Sequence, residues 1–247
     1  MLPLLALTAA AGMASRPAPS SALVSRRSAI AGLAGLAAIG TRPAVASTGP
    51  PERQRLLDLI ASDSGEADIL AAIEALLPLD PSKGRGAALA GLGGRWELVW
   101  SANAEAFSPL LGLPRPIRPA SVQLLGSAAE SLVGKARVAN QLIFPLDASF
   151  LLSSGVQELP GEDSTLEILP PFRFEVLGGG RRVQLVEAGS DAEFRALNVR
   201  DEAAQAAPRN KYQQKYVETN GRGDLRISEV ISGDPVIVGS IFVHQRL

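Results

Sequence analysis

The feature that most constrains the fold is a short-range alternation of apolar and polar residues with a period of two. In the segment "RWELVWS", Trp96, Leu98 and Trp100 alternate with polar residues. Glycines precede this segment and Asn103 follows it, which is typical of a β-strand. Because alternate residues of a strand share a face, we predict that Trp96 and Trp100, the only two tryptophans of the chain, both lie on the same inner face of a sheet.

The same pattern recurs along the rest of the chain. Residues 172–176 and 183–185 alternate on either side of a glycine-rich turn, which predicts a hairpin containing Phe172 and Phe174. Turn-forming residues separate the segments, and no helical pattern interrupts them. Many short strands of this kind predict an antiparallel barrel or sandwich. Further candidate strands are residues 121–125, 132–144, 147–152, 164–169, 193–199, 211–218, 224–230 and 236–245.

Residues 50–81 have a helical period instead. Leu56 and Ile60 share one stripe, a second stripe begins at Ile69, and Pro78 and Pro81 end the pattern. A linker of small residues follows. We therefore expect a helical segment and linker over residues 47–88 and a barrel over residues 89–247.

The first 46 residues resemble a targeting sequence. They contain four arginines and no acidic residue, and Arg26 and Arg27 precede an apolar run that ends in a small-x-small cleavage pattern at Ala46. That run is too short to span a bilayer. A second apolar stretch follows Met1, and two signals in series predict a plastid protein routed to the thylakoid lumen or associated with the thylakoid or plastoglobule. The alternative is a bacterial envelope protein with one export signal.

The composition excludes several kinds of site. The chain has no cysteine and a single histidine, His244, which excludes a thiolate nucleophile and a multi-histidine metal cluster. We therefore expect no metal and no cofactor, and we expect His244 to be an exposed strand residue. Without a basic patch, nucleic acid is not an expected partner. No phosphate loop or nucleophile elbow is present, so we expect a protein that is not an enzyme.

The motifs and their order resemble the plastid lipid-associated protein family, also called fibrillins. Residues 121–144 resemble its second strand pair, with Gln123 and Asn140 at matching positions, and residues 216–246 resemble its closing hairpin. The family signature L-x-G-x-W-x-L-x-[YW]-[ST] is met by Leu92, Gly94, Trp96, Leu98, Trp100 and Ser101. The closing hairpin is matched by Asp224, Leu225, Arg226, Ile227 and Phe242.

The resemblance implies a lipocalin-like β-barrel preceded by two short helices. It also implies a hydrophobic cargo, such as a carotenoid, prenylquinone, fatty acid or other lipid, and peripheral contact with the thylakoid membrane or the plastoglobule surface. The chain departs from the family pattern at Glu229 and Val230, where an Arg-Gly pair is common, and lacks the acidic residue expected after Gln123. It therefore resembles a divergent member.

The predicted ligand site is the inner face of this barrel. The two tryptophans line a cavity or plug the base of the barrel. Asp224 and Arg226 are either solvated on the outer face or point inward, as an internal ion pair or an anchor for a polar head group. The predicted ligand-binding residues are Trp96, Leu98, Trp100, Asn140, Phe172, Phe174, Asp224, Arg226 and Phe242.

Three functions remain open at this point, and we favour non-catalytic carriage of a hydrophobic small molecule. A structural coat protein of plastid lipid globules is the alternative, and it would contact lipid through apolar loops such as residues 110–117. An enzyme acting on a terpenoid lipid would need inward acids such as Glu97, Asp147 or Asp224. A cavity of at least ~300 Å³ lined by the tryptophans would favour carriage, and a filled barrel would favour the coat.

Overall fold

A computed structural model describes residues 49–103, 109–113, 117–134, 137–144, 148–169, 173–187 and 209–247. The predicted targeting sequence (residues 1–46), the candidate strand 193–199, and the residues Asp147 and Phe172 lie outside this described part.

Helices α1 (Pro51–Ala61) and α2 (Glu66–Leu76) precede the sheet, as the helical period predicted, and a third, short helix leads into its first strand. Pro51 occupies the first turn of helix α1, where its missing N–H costs no hydrogen bond. Among the described residues, none of the helices is both long and apolar enough to cross a membrane. Short 3₁₀ turns occur at Leu77–Leu79 and Pro109–Gly112. The α-helices are α1 (Pro51–Ala61), α2 (Glu66–Leu76), α3 (Leu89–Leu92) and α4 (Ser127–Val133).

The described residues contain ten strands, and all their pairings are antiparallel. They are β1 (Gly94–Ser101), β2 (Ala120–Leu125), β3 (Arg137–Ile143), β4 (Ser149–Leu159), β5 (Glu162–Ile168), β6 (Arg173–Gly178), β7 (Arg181–Glu187), β8 (Asn210–Val217), β9 (Leu225–Ser232) and β10 (Ile241–Arg246).

Eight of these strands close into a barrel. The order β3-β2-β1-β10-β9-β8-β5-β4 returns to its start because β3 also pairs with β4. Strand β4 is long enough to pair with β6 along its first half and with β5 along its second, so the β6–β7 hairpin branches from the barrel wall. The predicted mainly β fold, a lipocalin-like antiparallel barrel after two helices, is confirmed.

Helices α1 and α2 cover part of the outer surface of the barrel. Leu56 of α1 and Ile73 of α2 pack in one buried cluster with Leu225, Ile227 and Val243 from β9 and β10. Because residues on a strand alternate between faces, the side chains next to these in β9 and β10 point into the barrel. This alternation assigns inner and outer positions around the site.

Three strand predictions need correction. The strand predicted over 147–152 is longer than expected, since β4 continues to Leu159. The predicted strand 132–144 begins only at Arg137, because Ser127–Val133 forms helix α4. Glycines with positive φ flank this helix, Gly126 at 56° and Gly134 at 104°, and allow the chain to turn sharply into and out of it. The predicted strand 236–245 begins at Ile241, after a turn that contains Val236.

The prediction that both tryptophans lie on the same inner face is wrong. Leu98 pairs with His244 of β10. Trp100, two residues further along β1, pairs with Val243, which is only one residue from His244, so the register shifts within β1. A β-bulge of this kind adds one residue to one strand and reverses the faces that follow. Trp96 therefore faces into the barrel, whereas Trp100 packs outside it, against the cluster under α1 and α2.

Candidate functional site

Trp96 fills the base of the barrel. Its side chain is 0% exposed and packs with Leu125 and Val138 from the neighbouring strands. The indole Nε1 donates a hydrogen bond of 2.7 Å to the carbonyl oxygen of Leu92, in the short helix that leads into β1. Trp96 is therefore a plug, which was one of the two roles that the sequence allowed.

Two arginines lie over the Trp96 ring, and within the described residues only Arg246 has a carboxylate partner. The guanidinium carbon of Arg246 is 4.3 Å from the ring centroid, and its Nε lies 3.3 Å from Oδ2 of Asp224. Asp224 also accepts a hydrogen bond of 2.8 Å from the backbone N–H of Gly221. Asp224 is thus buried in the turn before β9, and at the base of the barrel it links this turn to Arg246 of β10.

The other arginine, Arg226, points into the barrel interior. It is 2% exposed, and its Nη2 donates a hydrogen bond of 2.5 Å to Oε1 of Gln123. The Nε2 of Gln123 in turn donates a hydrogen bond of 3.2 Å to Oδ1 of Asn140. The Nε of Arg226 has no hydrogen-bond partner, and no described carboxylate pairs with Arg226. Burial, and then the charge of Arg246, lower the pKa of Arg226 to about 9, so it remains charged at neutral pH.

His244 lies beside Arg226 on the neighbouring strand. It is 7% exposed, so the prediction of an exposed strand residue is wrong. Burial, and then the charge of Arg226, hold the pKa of His244 well below its usual range. The imidazole is therefore neutral at pH 7, and its Nδ1 has no hydrogen-bond partner in the described part of the chain. The sequence does contain a signal for this inward position, because His244 alternates with Phe242 and Arg246 on the same face of β10.

A small cavity of about 40 Å³ lies among these groups. A water molecule needs roughly 10–15 Å³ measured this way, so the space holds a few water molecules or a small polar group. None of the described residues that line the cavity is acidic. Besides Arg226 and His244, its polar lining comprises Ser121, Gln123, Asn140, Gln214 and Ser228, and its apolar lining comprises Leu98, Leu166, Ile168, Tyr212 and Phe242.

A cluster of three phenylalanines lies on the inner face toward the end of the barrel opposite Trp96. The ring centroids of Phe144 and Phe150 are 5.0 Å apart, and those of Phe150 and Phe174 are 5.5 Å apart. Phe174 pairs with Leu152, which pairs with Asn140 of the cavity lining. The phenylalanine cluster (Phe144, Phe150 and Phe174) is half-buried, so apolar surface continues from the cavity toward this end.

The structure thus brings together most of the predicted site residues. Leu98, Asn140, Arg226 and Phe242 line the cavity, Phe174 lies in the phenylalanine cluster, and Trp96 and Asp224 lie at the base. Trp100 is outside the barrel. Sequence reasoning missed a set of cavity residues that alternate inward on their strands, namely Ser121, Gln123, Leu166, Ile168, Tyr212, Gln214, Ser228 and His244.

A larger cavity of about 330 Å³ lies on the outer side of the barrel wall, between α4 and the β6–β7 hairpin. Arg137, Arg173 and Glu175 line it, and they occupy the strand positions that point away from the interior. It is therefore distinct from the barrel cavity. Within the described part of the chain, no group of three or more acidic or histidine side chains could hold a metal ion.

The fold and the site define a closed eight-stranded barrel with a cationic, incompletely hydrogen-bonded interior. Comparisons of this chain with protein-family models, curated proteins and solved structures find no match.

Proposed function

We propose that this protein binds a hydrophobic small molecule inside the barrel and carries it without chemical change. The observation that carries the proposal is Arg226, a charged side chain buried in the barrel with no described carboxylate partner. A buried charge without a partner costs stability unless another group compensates it. A bound molecule with a polar end would supply that group.

The size of the cavity limits the kind of molecule. The space of about 40 Å³ is well below the ~300 Å³ that would enclose a whole lipid, and the tryptophans do not line it. The cavity fits the polar end of a lipid. The apolar remainder would lie along Leu98 and Phe242 toward the phenylalanine cluster, where the inner face is apolar and half-buried.

The cellular setting is part of the proposal. The two targeting signals in series and the resemblance to plastid lipid-associated proteins support a plastid protein at the thylakoid or plastoglobule. In that setting the cargo would be a fatty acid, a prenylquinone, a carotenoid or another lipid.

Native mass spectrometry and tryptophan fluorescence of the delipidated full chain test the proposal, with oleate, decylplastoquinone and β-carotene as probes. We expect at least one probe to bind one-to-one. Phe150→Glu should weaken that binding, because it places a charge on the apolar inner face. Ile231→Glu is the matched control, since Ile231 is an exposed β9 residue. Protein that binds none of the probes, with unchanged fluorescence, would refute carriage.

A coat protein of lipid globules is the second candidate, and two observations favour it. The barrel interior is largely filled, and apolar side chains are exposed at one end of the barrel: Ile117 before β2 at 58%, and Val236 between β9 and β10 at 65%. The strand directions place these loops at the same end as the phenylalanine cluster. Such an end could contact a lipid surface.

A further inference from the structure

The polar residues inside the barrel differ in how fully they are hydrogen-bonded. Gln123 and Asn140 form a chain of hydrogen bonds that ends on Arg226. The Nε of Arg226 and the Nδ1 of His244 are buried and have no hydrogen-bond partner among the described residues. Most buried polar groups in proteins are hydrogen-bonded, so unpaired groups that line a cavity indicate a missing partner.

The charge of the site decides what that partner is. Arg226 brings one positive charge, His244 is neutral at pH 7, and none of the described lining residues is acidic. A neutral head group would leave the buried arginine charge uncompensated. An anion would neutralise it and accept hydrogen bonds from the guanidinium group.

The volume decides which anion fits. The space of about 40 Å³ holds only a few water molecules. A carboxylate is planar, has two acceptor oxygens and matches the geometry of a guanidinium group. A terpenoid ring or a glycolipid head group is far larger than this space.

We therefore propose that the barrel binds the carboxylate of a long-chain fatty acid, with Arg226 as its counter-ion and Gln123 holding the guanidinium group in place. This inference rests on the proposed carriage function and specifies the ligand class. Leu98 and Phe242 line the apolar side of the cavity. In this proposal the acyl chain leaves the cavity on that side, and the side chains of the largely filled interior move to admit it toward the phenylalanine cluster.

Calorimetric titration of the delipidated full chain at pH 8, where Arg226 is still charged, tests the inference with oleate and methyl oleate. We expect oleate to bind at least about tenfold more tightly than the ester, because the ester has no charge to pair with Arg226. Arg226→Met should weaken oleate binding by a similar factor and leave the ester unchanged. Arg209→Met is the matched control, because it removes an exposed positive charge just before β8.

The outcomes distinguish failure of the proposed carboxylate site from failure of the proposed carriage function. Equal binding of oleate and its ester, unaffected by Arg226→Met, would overturn the carboxylate site while carriage stands. Failure of both ligands to bind would overturn both. Circular dichroism of each variant checks that it folds, and the ¹³C resonance of carboxyl-labelled oleate gives a second readout that should shift only with Arg226 present.

Discussion

The guanidinium carbon of Arg226 lies 5.0 Å from the ring centroid of Trp96. The plug at the base of the barrel therefore touches the candidate ligand site. The other tryptophan packs outside the barrel, under helices α1 and α2. The two indoles thus report on different parts of the molecule.

Single-tryptophan variants should separate these signals. In Trp100→Phe the remaining Trp96 should emit at short wavelength, resist quenching by acrylamide and change intensity when oleate binds. In Trp96→Phe the remaining Trp100 should be more accessible to acrylamide, because it is half-buried, and should not respond to oleate. An oleate response confined to Trp100 would contradict the location of the site.

The stability of the barrel should depend on the protonation of His244. Because its folded pKa lies well below 6.5, the unfolded chain takes up a proton below pH 6.5 that the folded barrel excludes. Stability should therefore fall as the pH drops below 6.5, by at most about 1.4 kcal/mol per pH unit. His244 is the only histidine, so His244→Gln should remove this slope. Urea unfolding between pH 5.5 and 7.5 measures it, and identical slopes would refute a buried neutral His244.

The buried pair between Arg53 and Glu218 should anchor helix α1 to the barrel. Its Nε–Oε1 distance is 2.8 Å, and Glu218 also accepts hydrogen bonds from the Tyr216 hydroxyl at 2.7 Å and the Leu225 N–H at 2.8 Å. Glu218→Ala removes the acceptor of these hydrogen bonds and the carboxylate that faces Arg53, and should lower the free energy of unfolding by about 3–5 kcal/mol.

An exposed ion pair supplies the control for that measurement. The Oε1 of Glu162 lies 3.2 Å from the Nζ of Lys211 near the surface. Glu162→Ala should lower the free energy of unfolding by about 1 kcal/mol or less. Guanidinium unfolding of both variants gives the comparison. Similar losses in the two variants would show that the Arg53 network does not anchor the helix.

The exposed apolar end of the barrel should bind lipid surfaces. The double variant Val236→Glu, Val238→Glu replaces two exposed valines of the β9–β10 turn, and should weaken binding to phosphatidylcholine-coated triolein emulsions by about tenfold or more. Leu79→Glu is the control, because Leu79 is also exposed but precedes Asp80, which bonds to Val217 at the opposite end of the barrel. Flotation assays measure the bound fraction. Equal loss in both variants would contradict a specific lipid-binding end.

The period-two alternation predicted the strands because it follows directly from the geometry of a pleated sheet. The same alternation indicates that His244 points inward, because it alternates with Phe242 and Arg246. That residue was nevertheless expected outside, since a histidine near the C-terminus is commonly exposed. Local pattern therefore carried more information here than residue type.

The position of Trp100 could not be predicted from the alternation. A β-bulge inserts one residue into the pairing, and the residue between Leu98 and Trp100 is Val99, an ordinary strand former. The bulge depends on pairing with β10, which is far away in sequence. Helix α4 was missed because its seven residues are too few for a clear helical period. The volume of the cavity likewise depends on side chains from seven different strands.

The central claim is that Arg226 is retained for a ligand and not for the stability of the barrel. Its most direct test is the free energy of unfolding of the wild type and of Arg226→Met, each measured with and without oleate. Without oleate the variant should be as stable as the wild type or more stable, because it removes a buried unpaired charge. Oleate at a hundred times its dissociation constant should stabilise the wild type by about 2.7 kcal/mol and the variant much less. A variant that is less stable without oleate, and that oleate stabilises as much as the wild type, would contradict the claim.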